Sequence, residues 1–238
     1  MPGSVKSQSV LVFIITLAIA RSASAQTSSV ENISAYLKAS YYREMAGQLR
    51  VYNGIKYVDY NAYYVGNAYF NNTNFQNTTL YYDGSKFENV PALYDMYRET
   101  VVVKYKDTSD KISLINAKLD SFNMSGHRFI HVDEEGTTKP GFYELLYEGK
   151  TQLLKKYTVN IEDDKSEGVT KHRFYQNATY YLYRNGVYSS ISGGSALLSQ
   201  LKDKRKQLNE YLSVNKLGRK LTEEEMAKLL LYYDKLNG

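Results

Sequence analysis

The chain has no cysteine and no tryptophan, and it holds only three prolines and three histidines among 238 residues. The missing cysteine removes disulfides, a thiol nucleophile and thiolate metal sites together. It also removes the bacterial lipoprotein class, whose members are acylated at a cysteine. The missing tryptophan takes away the strongest aromatic platform for a sugar and weakens a carbohydrate-binding reading. No Gly-x-Ser-x-Gly, P-loop or dinucleotide fingerprint occurs. No catalytic residue can be named on this basis, and no cofactor is expected.

Charge is equally uninformative about polyanions. The formal net charge is +5, too mild to argue for nucleic acid. Lys202, Lys204, Arg205 and Lys206 read as a solvated helix face. The five Asn-x-Ser/Thr triplets, at Asn32, Asn71, Asn77, Asn123 and Asn177, are what an Asn- and Thr-rich chain produces by chance.

Residues 1–25 are organised as a secretory signal. Lys6 precedes an apolar run from Val10 to Ala20, and Ala23-Ser24-Ala25 forms an A-x-A cleavage site. The run is shorter than the roughly 20 residues a spanning helix needs. A mature chain starting near Gln26, with no transmembrane segment, is the expectation. The alternative is a short uncleaved anchor. A cysteine-free exported protein of this size fits a bacterial periplasm or outer-membrane surface better than a disulfide-rich secretory pathway.

Tyrosine is abundant, with 25 copies beside eight phenylalanines. Tyrosine suits half-buried pleated surfaces, its ring packed and its hydroxyl wet. Asn53-Gly54, Asp83-Gly84 and Asn185-Gly186, each flanked by aromatic residues, are hairpin signals, and Glu148-Gly149 is a weaker one. Strand-like runs are 99–106, 111–119, 128–132, 142–147, 153–161 and 173–183. These imply nine or ten strands between 51 and 191. The polar stretch 162–170 reads as a loop, and 27–48 as containing a short helix.

After Gly193-Gly194 the pattern changes. Ser195 is a candidate helix cap, and Leu197, Leu198, Leu201, Leu208, Tyr211 and Leu212 form a broken apolar stripe. Thr222-Glu223-Glu224-Glu225 is a capping box that opens a second stripe. The expected fold is mainly β (α+β): an antiparallel meandering sheet, or a sandwich or partly open barrel, with two C-terminal helices. The expected organisation is a signal at 1–25, an N-terminal segment at 26–50, a β-rich domain at 51–192 and a helical pair at 193–238 packed on the sheet.

His127 and His131 lie four apart in a strand-like run. On a strand that spacing shares a face but separates the rings by about 13 Å, too far to chelate one ion. Carboxylates are plentiful, yet sequence cannot pair them into a glycosidase dyad. Tyr63, Tyr64, Tyr81, Tyr82, Tyr180 and Tyr181 come in adjacent pairs, so one ring of each pair should face inward and one outward. These six, with His127, are the candidate binding residues.

The order Tyr52-Asn53-Gly54, Gly66 to Phe70, Leu80 to Gly84, Val90 to Asp95, Gly126-His127-Arg128-Phe129, Gly141 to Lys150 and Tyr232-Tyr233 resembles a group of uncharacterised exported β-rich proteins of Bacteroidota-type Gram-negative bacteria. The resemblance spans most of residues 50–236, and His127 falls at a recurrent position. It implies an envelope compartment and a β-rich fold, and brings no catalytic residues. The expected function is an envelope binding or structural module with a protein or glycan partner. The rivals are an envelope glycan or peptide hydrolase and a carbohydrate-binding domain.

Overall fold

Residues held at positive φ mark the turns on which the sheet is folded. In a computed structural model, residues 37–38, 50–105, 108–133, 138–165, 168 and 170–237 are described. The signal reading of 1–25 lies outside them, and of 27–48 only the helical Leu37 and Lys38 are described. The remainder of the description concerns residues 50–238, one compact unit by its contacts.

Twelve strands make one sheet: β1 (Ile55–Lys56), β2 (Tyr64–Val65), β3 (Gln76–Tyr82), β4 (Ser85–Asp95), β5 (Thr100–Lys104), β6 (Lys111–Ser113), β7 (Leu119–Met124), β8 (His127–Val132), β9 (Gly141–Glu148), β10 (Gln152–Asp164), β11 (Lys171–Arg184) and β12 (Val187–Ile191). Their spatial order is β1-β6-β5-β4-β3-β7-β8-β9-β10-β11-β12, and the sheet does not close on itself. Pairing is antiparallel except for short β2, which runs parallel to β11 at Tyr64↔His172. The mainly β, open-sheet reading of the sequence is what the structure has.

Three hairpins close through two-residue turns with both φ positive. These are Asp83-Gly84 (51° and 70°), Ser125-Gly126 (52° and 82°) and Asn185-Gly186 (54° and 81°). That is the turn whose twist matches the strands it joins. Asn53-Gly54 departs from expectation, because it makes no hairpin. Gly54 instead lies against β6, where a Cβ would fall 2.2 Å from the Ser113 carbonyl oxygen. Its lack of a side chain serves close approach and not a turn.

Three further differences have physical causes. Residues 111–119 are not one strand: β6 ends at Ser113 and a 3-10 turn at Asn116–Lys118 leads into β7. Residues 162–164 are not loop. Glu162, Asp163 and Asp164 extend β10 because β11 offers polar partners across the ladder, the His172 ring to Asp163 at 2.9 Å and the Arg173 guanidinium to Asp164 at 3.0 Å. The C-terminal segment has three α-helices and not two, α1 (Gly194–Gln200), α2 (Arg205–Val214) and α3 (Glu223–Leu236). The first stripe breaks at Leu201, which stays fully buried while the backbone leaves helical geometry. The N-cap of α1 is Gly193 and not Ser195. Thr222 does cap α3, with the reciprocal Glu225 bond of a capping box.

One aromatic core fills the space between β3, β4, β5, β7, β8 and β9, with Phe122 and Phe129 stacked at 4.7 Å and Tyr94 and Phe142 edge-on. Phe70, Tyr157 and Phe174 cover it. A second core joins Leu153, Leu182 and Ile191 of the sheet to Leu197, Leu201, Leu208, Met226, Leu229 and Leu230 of the helices. On β10, Leu153, Lys155, Tyr157 and Val159 share a face by strand alternation. The helices and the aromatic core therefore adjoin on one side of the sheet. Among the described residues, no helix is long and apolar enough to cross a membrane.

Lys156 is buried, and its ammonium lies 2.7 Å from Glu99 Oε1, close but poorly aligned for a hydrogen bond. The ammonium also sits over the Tyr143 ring. Removing one partner of such a pair leaves a buried charge uncompensated. Because Glu99 is one-third exposed, Glu99→Gln should lower stability by about 3 kcal/mol, the lower end for buried pairs. Adding Lys156→Met should restore most of the loss. Urea denaturation followed by tyrosine fluorescence measures both, and an unchanged midpoint for Glu99→Gln would show that the pair holds nothing.

Candidate functional site

Asp95 closes β4 with no exposure to water. A buried carboxylate must be met by donors. Its Oδ2 accepts the hydroxyls of Tyr57 and Tyr60, both at 2.8 Å. Its Oδ1 accepts the backbone N–H groups of Tyr97 and Arg98, both at 3.0 Å. The Arg98 guanidinium lies over the Tyr57 and Tyr60 rings, at 4.8 and 4.2 Å. Burial, then the hydrogen bonds to Tyr69 and Asp95, push the Tyr57 phenol far above its ordinary value. Burial and the Asp95 bond do the same to Tyr60. Both phenols therefore stay protonated and remain donors.

Tyr60, fixed from one end, is the hub of an aromatic cluster. Its ring meets Phe174 at 4.9 Å, Tyr64 at 5.1 Å and Tyr97 at 6.4 Å. Tyr64 stacks on Phe174 at 5.5 Å. Beside the cluster opens a cavity of about 290 Å³, walled by Tyr60, Tyr64, Tyr69 and Phe174. Its polar lining is Asp59, Asn61, Thr73 and Lys111, with Lys111 Nζ 2.6 Å from Asp59 Oδ1. Gly66 belongs to the wall at φ 92°, backed by the Phe174 carbonyl. Aromatic faces beside a charged pair and an amide suit a small ligand with an apolar face and a hydroxylated rim.

A second constellation lies where the helices meet the aromatic core. The ladder places Glu144, Lys155 and Tyr180 in one row across β9, β10 and β11. Glu144 is buried. One carboxylate oxygen meets His127 Nδ1, and the other accepts the Tyr157 hydroxyl at 2.7 Å. Glu223, in the first turn of α3, accepts from Lys155 at 2.7 Å and from the Tyr180 hydroxyl at 2.6 Å. Burial alone raises the Glu223 carboxyl, but the bonds from Lys155 and Tyr180, with the Lys155 charge, pull it below the usual carboxylate range. Burial and the Glu223 bond push the Tyr180 phenol up to about 12. Every group in this seam is already paired within the protein, which suits it to tying α3 to the sheet.

The residues singled out in the sequence scatter between these two places. Tyr64 lines the cavity and its neighbour Tyr63 is exposed. Tyr82 is fully buried with its hydroxyl on the Asn53 carbonyl, and Tyr81 is part-exposed. Tyr82 is thus a core residue with no surface to offer. Tyr180 and Tyr181 are both half-buried, because the helices cover one face of β11 there and Tyr143 packs on the other. His127 belongs to the seam and sits edge-on to Phe70 at 5.1 Å. His131, on the same strand, lies against Phe142 and 3.7 Å from Asp133. Among the described residues, no three His, Asp or Glu side chains come together as metal ligands. Sequence reasoning missed Asp95, Tyr57, Tyr60, Glu144, Lys155, Tyr157 and Glu223. No protein-family model matches the chain, and no curated protein or solved structure is detectably similar to it.

A lowered carboxyl value contributes stability that is present above the unfolded value and lost as pH falls through the folded one. Glu223→Gln should therefore lower the melting temperature at neutral pH. The gap from the unsubstituted protein should begin to shrink below about pH 4, where the unfolded carboxyl protonates, and close only as the folded carboxyl protonates at lower pH. Melting curves across pH measure this, and a gap constant with pH would mean Glu223 acts through packing alone.

Proposed function

We propose that this is an exported module of a Gram-negative envelope that binds without catalysing, and that its tyrosine cavity holds one sugar residue of an envelope glycan. The lining of that cavity carries the reading. Tyr60, Tyr64 and Phe174 supply an aromatic wall, while Asp59, Asn61, Thr73 and Lys111 offer donors and acceptors. A sugar ring has the same two-sided character: C–H groups for the aromatic face and hydroxyls for the polar rim. Three aromatic residues replace the tryptophan that the chain lacks. The volume is at the small end for ligand pockets, which limits the occupant to about one ring. Export rests on the leader pattern of residues 1–25, and the resemblance to exported β-rich proteins agrees with it.

Glu144 favours a second reading, a hydrolase working at the seam. A buried carboxylate braced by Tyr157 and His127 resembles a catalytic acid in its setting. Against it, both Glu144 oxygens are occupied, and Glu223 is held by Lys155 and Tyr180. Glu144 therefore has no oxygen left for a substrate, and Glu223 has both of its bonds on Oε1, from Lys155 and Tyr180.

Titration of the full chain with neutral and acetylated monosaccharides and with envelope glycan fragments, followed by tyrosine fluorescence, tests the proposal. Tyr64→Ala should weaken binding about tenfold, the worth of one aromatic face. Asn61→Ala should weaken it less, and Glu144→Gln should leave it unchanged. If no sugar binds, or if Glu144→Gln abolishes turnover on a glycan panel, the binding reading falls. Intact mass of the protein recovered from a Gram-negative host checks export separately, with a chain beginning at Gln26 as the expected product.

A further inference from the structure

A cavity of about 180 Å³ opens in the helical cap, lined by Ser195, Leu198, Ser199, Lys202, Arg205, Asn209 and Arg219. It contains three cations and no carboxylate. Two helical spacings produce it. Ser195, Leu198, Ser199 and Lys202 follow one face of α1 into the 3-10 turn, and Lys202, Arg205 and Asn209 continue that side into α2. Arg219 comes from the α2–α3 loop, which is pressed onto the start of α1. The Ser195 hydroxyl donates to the Arg219 carbonyl at 3.4 Å, and a Cβ on Gly194 would fall 2.8 Å from that same oxygen. The absence of a side chain at Gly194 is what lets the loop bring Arg219 to the other two cations.

The three cations are also uncommitted. Among the described residues, Lys202, Arg205 and Arg219 make no ion pair. The nearest acid in sequence, Asp203, is engaged elsewhere, accepting from Arg184 at 2.8 Å and from the Tyr233 hydroxyl at 2.9 Å. Like charges gathered around a concavity repel one another, and an anion placed among them relieves the repulsion. Two guanidinium forks, an ammonium and an amide match a tetrahedral oxyanion, which guanidinium groups bind through paired hydrogen bonds; the Ser195 and Ser199 hydroxyls already donate to backbone carbonyls and form the rim.

We infer that this cavity of the helical cap is a binding site for a phosphate or sulfate group. The site stands apart from the tyrosine cavity in its residues and its chemistry, so its failure would leave that reading untouched. The same group could be carried by a phospholipid headgroup or by a soluble phosphorylated or sulfated molecule.

The test is calorimetric titration of the full chain with inorganic phosphate and with sulfate at about 10 mM ionic strength, where screening is weak. Saturable binding is expected, weakened at least tenfold by R205A/R219A. The charge-matched K206A/K220A, which removes two neighbouring cations outside the cavity, should weaken it less than twofold. All four residues are exposed, so both variants should fold. Absence of saturable binding, or equal weakening by both variants, overturns the proposal.

Sedimentation with phosphatidylglycerol vesicles against phosphatidylcholine vesicles then identifies the source. Binding to the anionic vesicles that inorganic phosphate displaces and R205A/R219A abolishes points to a headgroup. Phosphate binding without vesicle binding points to a soluble carrier. Vesicle binding without phosphate binding counts against the cavity.

Discussion

A carboxylate sealed from water at the end of β4 organises the end of the sheet that holds the cavity. Asp95 would be costly to bury alone. Two tyrosine hydroxyls and two backbone N–H groups supply its donors. The backbone donors fix the turn from β4 to β5. The tyrosine donors fix the incoming segment that carries β2, and this segment reaches β11 through the parallel pairing. The backbone of Tyr69 bridges to Asp95 as well. One charge thus connects two distant stretches of the open sheet without closing it. The aromatic cavity adjoins this anchor, because Tyr60, bonded to Asp95, stands beside Tyr64 and Phe174. Removing the carboxylate would leave the phenols without their acceptor, and the wall would lose its fixed geometry.

The helical end is held by a similar device. Asp234 of α3 accepts from the Thr151 N–H, the Thr151 hydroxyl and the Tyr147 hydroxyl, all at 3.0 Å. These tie the helix to the β9–β10 turn, where a Cβ on Gly149 would collide with the same carboxylate. Glu223 does the equivalent work at the other end of α3 through Lys155 and Tyr180. Tyrosine is therefore abundant for two reasons. Its ring fills core and its hydroxyl reaches a carboxylate at the edge of that core. The hydroxyls of Tyr57, Tyr60, Tyr147, Tyr157, Tyr180 and Tyr233 all bond to Asp or Glu. This arrangement replaces the disulfides that a cysteine-free chain cannot make.

The sequence was most legible where local chemistry decides the outcome. Asp83-Gly84 and Asn185-Gly186 are hairpins because positive φ at both positions is cheap there. Ser125-Gly126 makes the same turn, yet serine is not a usual resident of the left-handed region, so it went unread. Thr222 and Glu225 cap α3 as their spacing indicates. Asn53-Gly54 misled because a glycine chosen for close approach looks the same in sequence as one chosen for a turn. The acidic run at 162–164 misled because its partners, His172 and Arg173, lie across a ladder that composition does not reveal.

The functional constellations were illegible for a related reason. Each depends on a carboxylate whose side-chain partners come from elsewhere in the chain: Asp95 from 35 and 38 residues away, Glu144 from 13 and 17, Glu223 from 43 and 68. One signal was nevertheless present. In Phe142-Tyr143-Glu144-Leu145, strand alternation sets Glu144 on the face of Phe142, a core residue. In Ala92-Leu93-Tyr94-Asp95, Asp95 shares the face of Leu93, which is also buried. A lone charge on the buried face of a strand demands donors, and tyrosine is the donor this chain has in excess. The useful rule for such a composition is to take each carboxylate that falls in phase with buried aliphatic or aromatic residues and treat it as the acceptor of distant tyrosines. Applied here, it selects Asp95 and Glu144 together with Glu148 and Asp120, which share the phase of buried neighbours yet are exposed, so the phase narrows the choice of acids and the donors decide it.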